Sequence, residues 1–186
     1  MKKIFVLMLV LCLVMTVGCG STETVSEKIS IPDEIPENFI LEGGNGLWST
    51  TLTIKKDGSY SGKYLEQTGE ENYENTLYYN YNIAEFFGEF KSIEKIDDFT
   101  YCLTVGSYSK KYETGDYWIE ENKIYNTAEG EGFYGCEKFM IYLPGKSTSG
   151  LSENFLMWLP DKISDGKLTT FVLHNTEHNY GFVRVN

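Results

Sequence analysis

The chain has a single arginine, two histidines, four prolines and four cysteines among 186 residues, and each scarcity excludes something. With Arg184 alone there is no guanidinium cluster to grip phosphate bidentately. The formal net charge is −11, so the surface should repel nucleic acid and anionic headgroups. No G-x-S-x-G nucleophile signature occurs. Gly145-Lys146-Ser147 lacks the preceding glycine spacing of a phosphate loop. His174 and His178 lie in "HNTEH", which is not the His-Glu-x-x-His order of zinc proteases, and they read as exposed loop residues. Asp97-Asp98 and Glu129–Glu131 supply carboxylates, but neither matches the spacing of a calcium loop. These acidic stretches read as solvated turns. No catalytic residue, metal site or cofactor is expected, and the chain does not read as an enzyme.

Only one long apolar run is present, Ile4 to Val17, after the positive start Lys2-Lys3. Its length falls short of the roughly 20 residues of a spanning helix, and Gly18 supplies a small residue before a cleavage point, as in a secretory signal. Thr16 to Cys19, "TVGC", resembles a bacterial lipobox, in which the cysteine is acylated and becomes the new N-terminus. The expected division is a lipoprotein signal over 1–18, a lipidated Cys19 and flexible tether over 19–37, and a folded domain over 38–186. Such a protein is held to the membrane by its N-terminal lipid, facing outside the cytoplasm, because buried acyl methylenes supply the anchoring energy. Loss of the two positive charges of Lys2 and Lys3 takes the formal −11 to −13, which would attract a cationic partner protein. Of the remaining cysteines, Cys12 leaves with the signal. Cys102 and Cys136 form an even pair in an oxidising setting, where a disulfide is the expected state.

What the chain has in quantity is aromatic residues, with fourteen tyrosines and eleven phenylalanines, mostly in short alternating runs that suit strands. Strands are predicted near Leu47–Ile54, Ser59–Glu66, Leu77–Glu89, Phe99–Gly106, Asp116–Glu120, Lys123–Thr127, Lys138–Leu143, Thr169–His174 and Tyr180–Val185. Turn residues separate them, including Asp57-Gly58, Asp97-Asp98, Glu121-Asn122 and Pro144-Gly145. The first hairpin can be read closely. A two-residue Asp57-Gly58 loop would set the apolar faces of its two strands on opposite sides. A three-residue Lys56-Asp57-Gly58 loop pairs Ile54 with Tyr60 and Leu52 with Gly62, giving one core face. It requires a type I turn with a bulge and Gly58 in the left-handed region. One short helix follows Ser152, which can cap it, and stops before Pro160.

Gly46-Leu47-Trp48, opening the first predicted strand, resembles the G-x-W motif of lipocalins, and Thr114 to Trp118, "TGDYW", loosely resembles their Thr-Asp-Tyr loop motif. The resemblance implies an all-β, antiparallel, up-and-down barrel of about eight or nine strands plus the short helix. It also implies that Trp48 plugs one end of the barrel, with an arginine from the last strand across it. Arg184 occupies that place, and a guanidinium over an indole would be worth roughly 0.5–2 kcal/mol. One departure is that two strands follow the helix, whereas a lipocalin's helix follows all eight. The chain is also similar to bacterial lipoproteins with "W-S-T-x-L-T" and "D-G-S-x-S-G" hairpins, here Trp48–Thr53 and Asp57–Gly62, a likeness that carries no activity. Two functions follow as expectations. One is a lipid-anchored barrel holding a small apolar or amphipathic ligand. The other is an acidic interaction module, for instance an inhibitor of a cationic wall hydrolase.

Overall fold

The computed structural model describes residues 29–185; the expected signal, Cys19 and most of the expected tether lie outside them. Eight strands follow one another around a closed antiparallel barrel: β1 (Asn38–Glu42), β2 (Trp48–Ile54), β3 (Ser59–Tyr73), β4 (Thr76–Asp97), β5 (Thr100–Lys110), β8 (Lys138–Tyr142), β11 (Val172–Asn175) and β12 (Gly181–Arg184). Pairing of β12 with β1 and of β3 with β4 completes the ring. Two insertions leave it intact. The hairpin β6 (Tyr117–Glu120) and β7 (Lys123–Thr127) attaches to β4 by a parallel pairing. Helix α1 (Glu153–Leu156) and the small ladder β9 (Ile163–Ser164) and β10 (Lys167–Leu168) come between β8 and β11. The early helix is thus an insertion, and strand order stays sequential.

The barrel forms because alternate residues are large and apolar. Phe39 and Leu41, Leu52 and Ile54, Tyr60 and Tyr64, Phe86 and Phe90, Leu103, Phe139 and Ile141, Leu173 and Phe182 all enter one buried cluster. The first hairpin has the expected register, Ile54 opposite Tyr60 and Leu52 opposite Gly62. Gly58 has φ +83°, its N–H donates to Lys55 O at 2.9 Å, and Lys55 N–H donates to Ser59 O at 2.8 Å. Helix α1 begins as expected, with Ser152 Oγ accepting from Phe155 N–H at 3.2 Å.

Three features depart from the sequence reading. β1 was not expected, because five residues after a proline give too short a pattern to stand out. β3 and β4 are longer than predicted, 15 and 22 residues: β3 gains the mostly polar Gln67–Tyr73, which pairs with the start of β4 in a projecting sheet, and β4 gains Phe90–Asp97, which pairs with β5. And the last part of the expected tether is ordered packing. Ile31 and Ile35 are buried in the main cluster, with Ile29 against it. Ile31 N–H donates to Lys56 O at 2.9 Å, Lys56 Nζ donates to the carbonyls of Pro32 and Ile35 at 3.0 and 3.2 Å, and Tyr101 OH donates to Glu34 Oε1 at 2.5 Å. Three isoleucines spaced along a Pro- and Glu-rich segment close the end of the barrel at which Gly58 lies.

Candidate functional site

The barrel interior is the first place to seek a ligand, and it is occupied by the protein itself. The connection from β7 to β8, "AEGEGFYGC" over Ala128 to Cys136, dips inward and delivers Phe133 to the centre. Its ring lies 4.7 Å from Tyr60, 5.0 Å from Phe86, 4.7 Å from Phe139, 6.2 Å from Tyr108 and 6.4 Å from Phe90, centroid to centroid. Such contacts add about 0.5–1.5 kcal/mol per pair beyond area burial. Backbone anchors fix the segment. Ala128 N–H donates to Ile83 O at 2.8 Å, Thr50 Oγ1 donates to Glu131 O at 2.7 Å, and the buried Asn175 Nδ2 donates to Gly132 O at 2.8 Å. Gly132 has φ +79°, and a Cβ there would come within 2.2 Å of Leu41 Cδ2. The glycines therefore serve close approach to the core.

The carboxylates of this segment and Glu66 of β3 accept hydrogen bonds, while Glu129 Oε2 is buried without a partner among the described residues. Glu129 Oε1 accepts from Lys110 Nζ and from Thr114 Oγ1, both at 2.6 Å. Burial pushes the Glu129 carboxyl up, but these two donors and the lysine charge outweigh it and leave the group below its ordinary value. Glu131 accepts from Tyr180 OH. Glu66 Oε2 accepts from Tyr64 OH at 2.8 Å and from Asn82 Nδ2 at 2.9 Å. Among the described residues no group of three or more His, Cys, Asp or Glu is placed to hold a metal ion.

The other sequence-derived residues fall as follows. Trp48 packs edge-on against Trp158 at 5.9 Å and Tyr64 at 6.2 Å, near the mouth opposite Gly58. Arg184 is at the other end, opposite Phe39 in register, with its guanidinium 6.0 Å from the Phe171 ring. The expected Trp48–Arg184 pair does not form. β1 runs antiparallel to both neighbours, so the start of β2 and the end of β12 lie at opposite ends of it. Cys102 and Cys136 are free, buried thiols, and the expected disulfide is absent. Leu103 and Cys136 belong to the inner cluster whereas Cys102 does not, and Cys102 faces Met140 across the β5–β8 pair while Cys136 lies beyond Lys138. The thiols are separated by strand parity and by register. Burial pushes the Cys136 thiol up to about 11. His174 is not an exposed loop residue. It is buried, 3.9 Å from the Phe155 ring, with Tyr142 OH 3.3 Å from Nδ1. Its burial lowers the imidazole to about 4. His178 remains in the β11–β12 turn.

Two outer surfaces of the described residues have a hollow lined by tryptophan. Between α1 and the outer faces of β1 and β12 is an open groove of about 590 Å³, with Trp158, Met157, Ile40 and Val183 among its lining. The second is the projecting sheet of β3, β4, β7 and β6. A row of rings crosses it: Tyr112 4.9 Å from Trp118, Trp118 5.2 Å from Tyr125, and Tyr125 5.6 Å from Tyr81. At its margin Tyr117 and Ile119 are 72 % and 58 % exposed. Sequence reasoning missed both Phe133 and this margin. The Gly-x-Gly-Phe-Tyr-Gly spacing was the signal for the first; the second depends on which strand ends the sheet.

Comparison with protein-family models, with curated proteins and with solved structures returns no match.

Proposed function

We propose that this is a non-enzymatic binding barrel that acts through its outer surface on a cationic protein, held outside the cytoplasm by lipid on Cys19. The filled interior carries the choice between the two expected functions. With Phe133 stacked among Tyr60, Phe86 and Phe139, a ligand in the lumen would have to displace a ring anchored by the loop bonds at Ala128, Glu131 and Gly132. The formal charge of −11 and the exposed apolar residues of the projecting sheet favour a protein surface with cationic character. Lipid attachment rests on the sequence from Lys2 to Cys19.

The test is calorimetric titration of the mature protein with lysozyme, a cationic wall hydrolase, at low and high salt. Binding that weakens steeply as salt rises is the expected result, since screening removes steering and charge complementarity. No binding at low salt overturns the reading. A parallel titration with the apolar dye N-phenyl-1-naphthylamine should give no one-to-one site. The groove beside Trp158 favours a second reading, a small amphipathic ligand bound on the outside. Dye binding that is lost in Met157→Glu but kept in Phe133→Ala would establish that instead.

A further inference from the structure

Strand β6 ends the large sheet, so among the described residues one side of its backbone has no strand beside it. The parity of the ladder tells which residues are left over. Thr127 N–H donates to Asp116 O at 2.9 Å, and on the other side of β7 Ala128 N–H donates to Ile83 O and Tyr79 N–H to Asn122 O. Thus Trp118 and Glu120 turn their backbone groups to β7, while Tyr117 and Ile119 turn theirs outward. Proteins usually blunt such an edge with lysine, proline, a covering loop or a very short strand. Tyr117–Glu120, "YWIE", is short, four residues ending in Glu120, but among the described residues it carries none of the first three.

Beside this edge lies an open hollow of about 650 Å³ lined by Tyr112, Gly115, Asp116, Tyr117 and Trp118. Aromatic faces together with a carboxylate are the chemistry that receives a lysine or arginine side chain. The fold contains a small precedent, Lys111 Nζ at 4.9 Å from the Tyr112 ring centroid. Glu120 and Glu121 follow at the next turn and form no ion pair among the described residues, although Lys123 faces Glu120 in register. The remaining nearby cations are committed, Lys110 to Glu129 and Lys111 to Glu85.

We propose that the β6 edge receives an extended basic segment of a partner protein. The segment adds as a further strand against Tyr117 and Ile119 and places a Lys or Arg side chain in the Tyr112–Tyr117–Trp118 hollow beside Asp116. This rests on the outer-surface reading and names its site. A second copy of this chain is the less suited occupant, because pairing two β6 edges brings together two strongly acidic molecules.

The probe is a capped hexapeptide of alternating lysine and valine, titrated into the mature protein by calorimetry with amide shifts read at Tyr117 and Ile119. It should bind, whereas a glutamate–valine peptide should not. N-methylation of the residues on the peptide's bonding edge, and separately Ile119→Pro, should each weaken binding by at least about tenfold, since strand addition depends on main-chain hydrogen bonds. Asp116→Asn keeps the acceptor for Glu113 N–H and should weaken it by about threefold. If Ile119→Pro fails to fold, the methylated probe decides alone. Undiminished binding of the methylated peptide overturns strand addition. Binding of lysozyme but not of the peptide overturns this site and leaves the outer-surface reading standing; binding of neither removes both. A concentration-dependent dimer abolished by Ile119→Pro would give the edge to a second copy and overturn the proposal.

Discussion

At Gly58 and at His174 the consequences of single residues can be worked out from geometry. Gly58 has φ +83°, and a Cβ there would lie 2.4 Å from Ile29 Cγ2. Gly58→Val combines a left-handed backbone for a β-branched residue, costing about 1–2 kcal/mol, with displacement of Ile29 from the barrel end. A lowered urea midpoint with unchanged slope is the expected readout. An unaltered midpoint would mean the turn can relax. His174 gives a pH dependence of known sign. Its folded value is about 4 against an ordinary 6.5, because burial disfavours the charged ring. The unfolded chain takes up the proton first. The neutral ring's contribution is therefore complete above pH 6.5 and is lost as pH falls from 6.5 to 4, a loss of about 3 kcal/mol in all. In His174→Gln, which keeps a polar partner for Tyr142 but cannot titrate, urea midpoints between these pH values should no longer carry that slope. A persisting slope would assign it to the carboxylates.

Among elements, the segment from Ala128 to Cys136 has the largest effect for its length. Its Phe133 touches rings from β3, β4, β5 and β8, so it links strands that do not all pair with one another. Phe133→Ala should cost about 3–5 kcal/mol in urea unfolding, the usual range for emptying a buried aromatic site. A loss under 1 kcal/mol would mean that the barrel core forms without the plug. The first hairpin was legible to its bulge, because only one loop length puts Ile54, Leu52 and Tyr60 on one face. The cap at Ser152 was legible for a similar local reason. The ordered strap from Ile29 to Ile35 was not, because its isoleucines have no period of their own and are buried only by the barrel end they close.

Across the whole molecule the two ends differ. The chain enters the described structure at Ile29 against Gly58, while β7, which carries β6 on its other side, pairs with the far part of β4, from Tyr79 to Ile83. The projecting sheet thus points away from the end at which Ile29 lies. The free thiols follow from the same global arrangement: denatured without reductant, the mature chain should react at both Cys102 and Cys136 in a thiol assay, and absence of reaction at both would restore the disulfide. Alternation, turn chemistry and capping determined by themselves an all-β chain, its first hairpin register, the short helix and the acidic surface, because each depends on residues close in sequence. Closure of the ring, the exclusion of Trp48 from Arg184 and of Cys102 from Cys136, the burial of His174 and the filling of the lumen by Phe133 were decided only in three dimensions. Each of these depends on which strands become neighbours and on which end of the barrel a residue falls, and neither quantity is written in any local stretch of the chain.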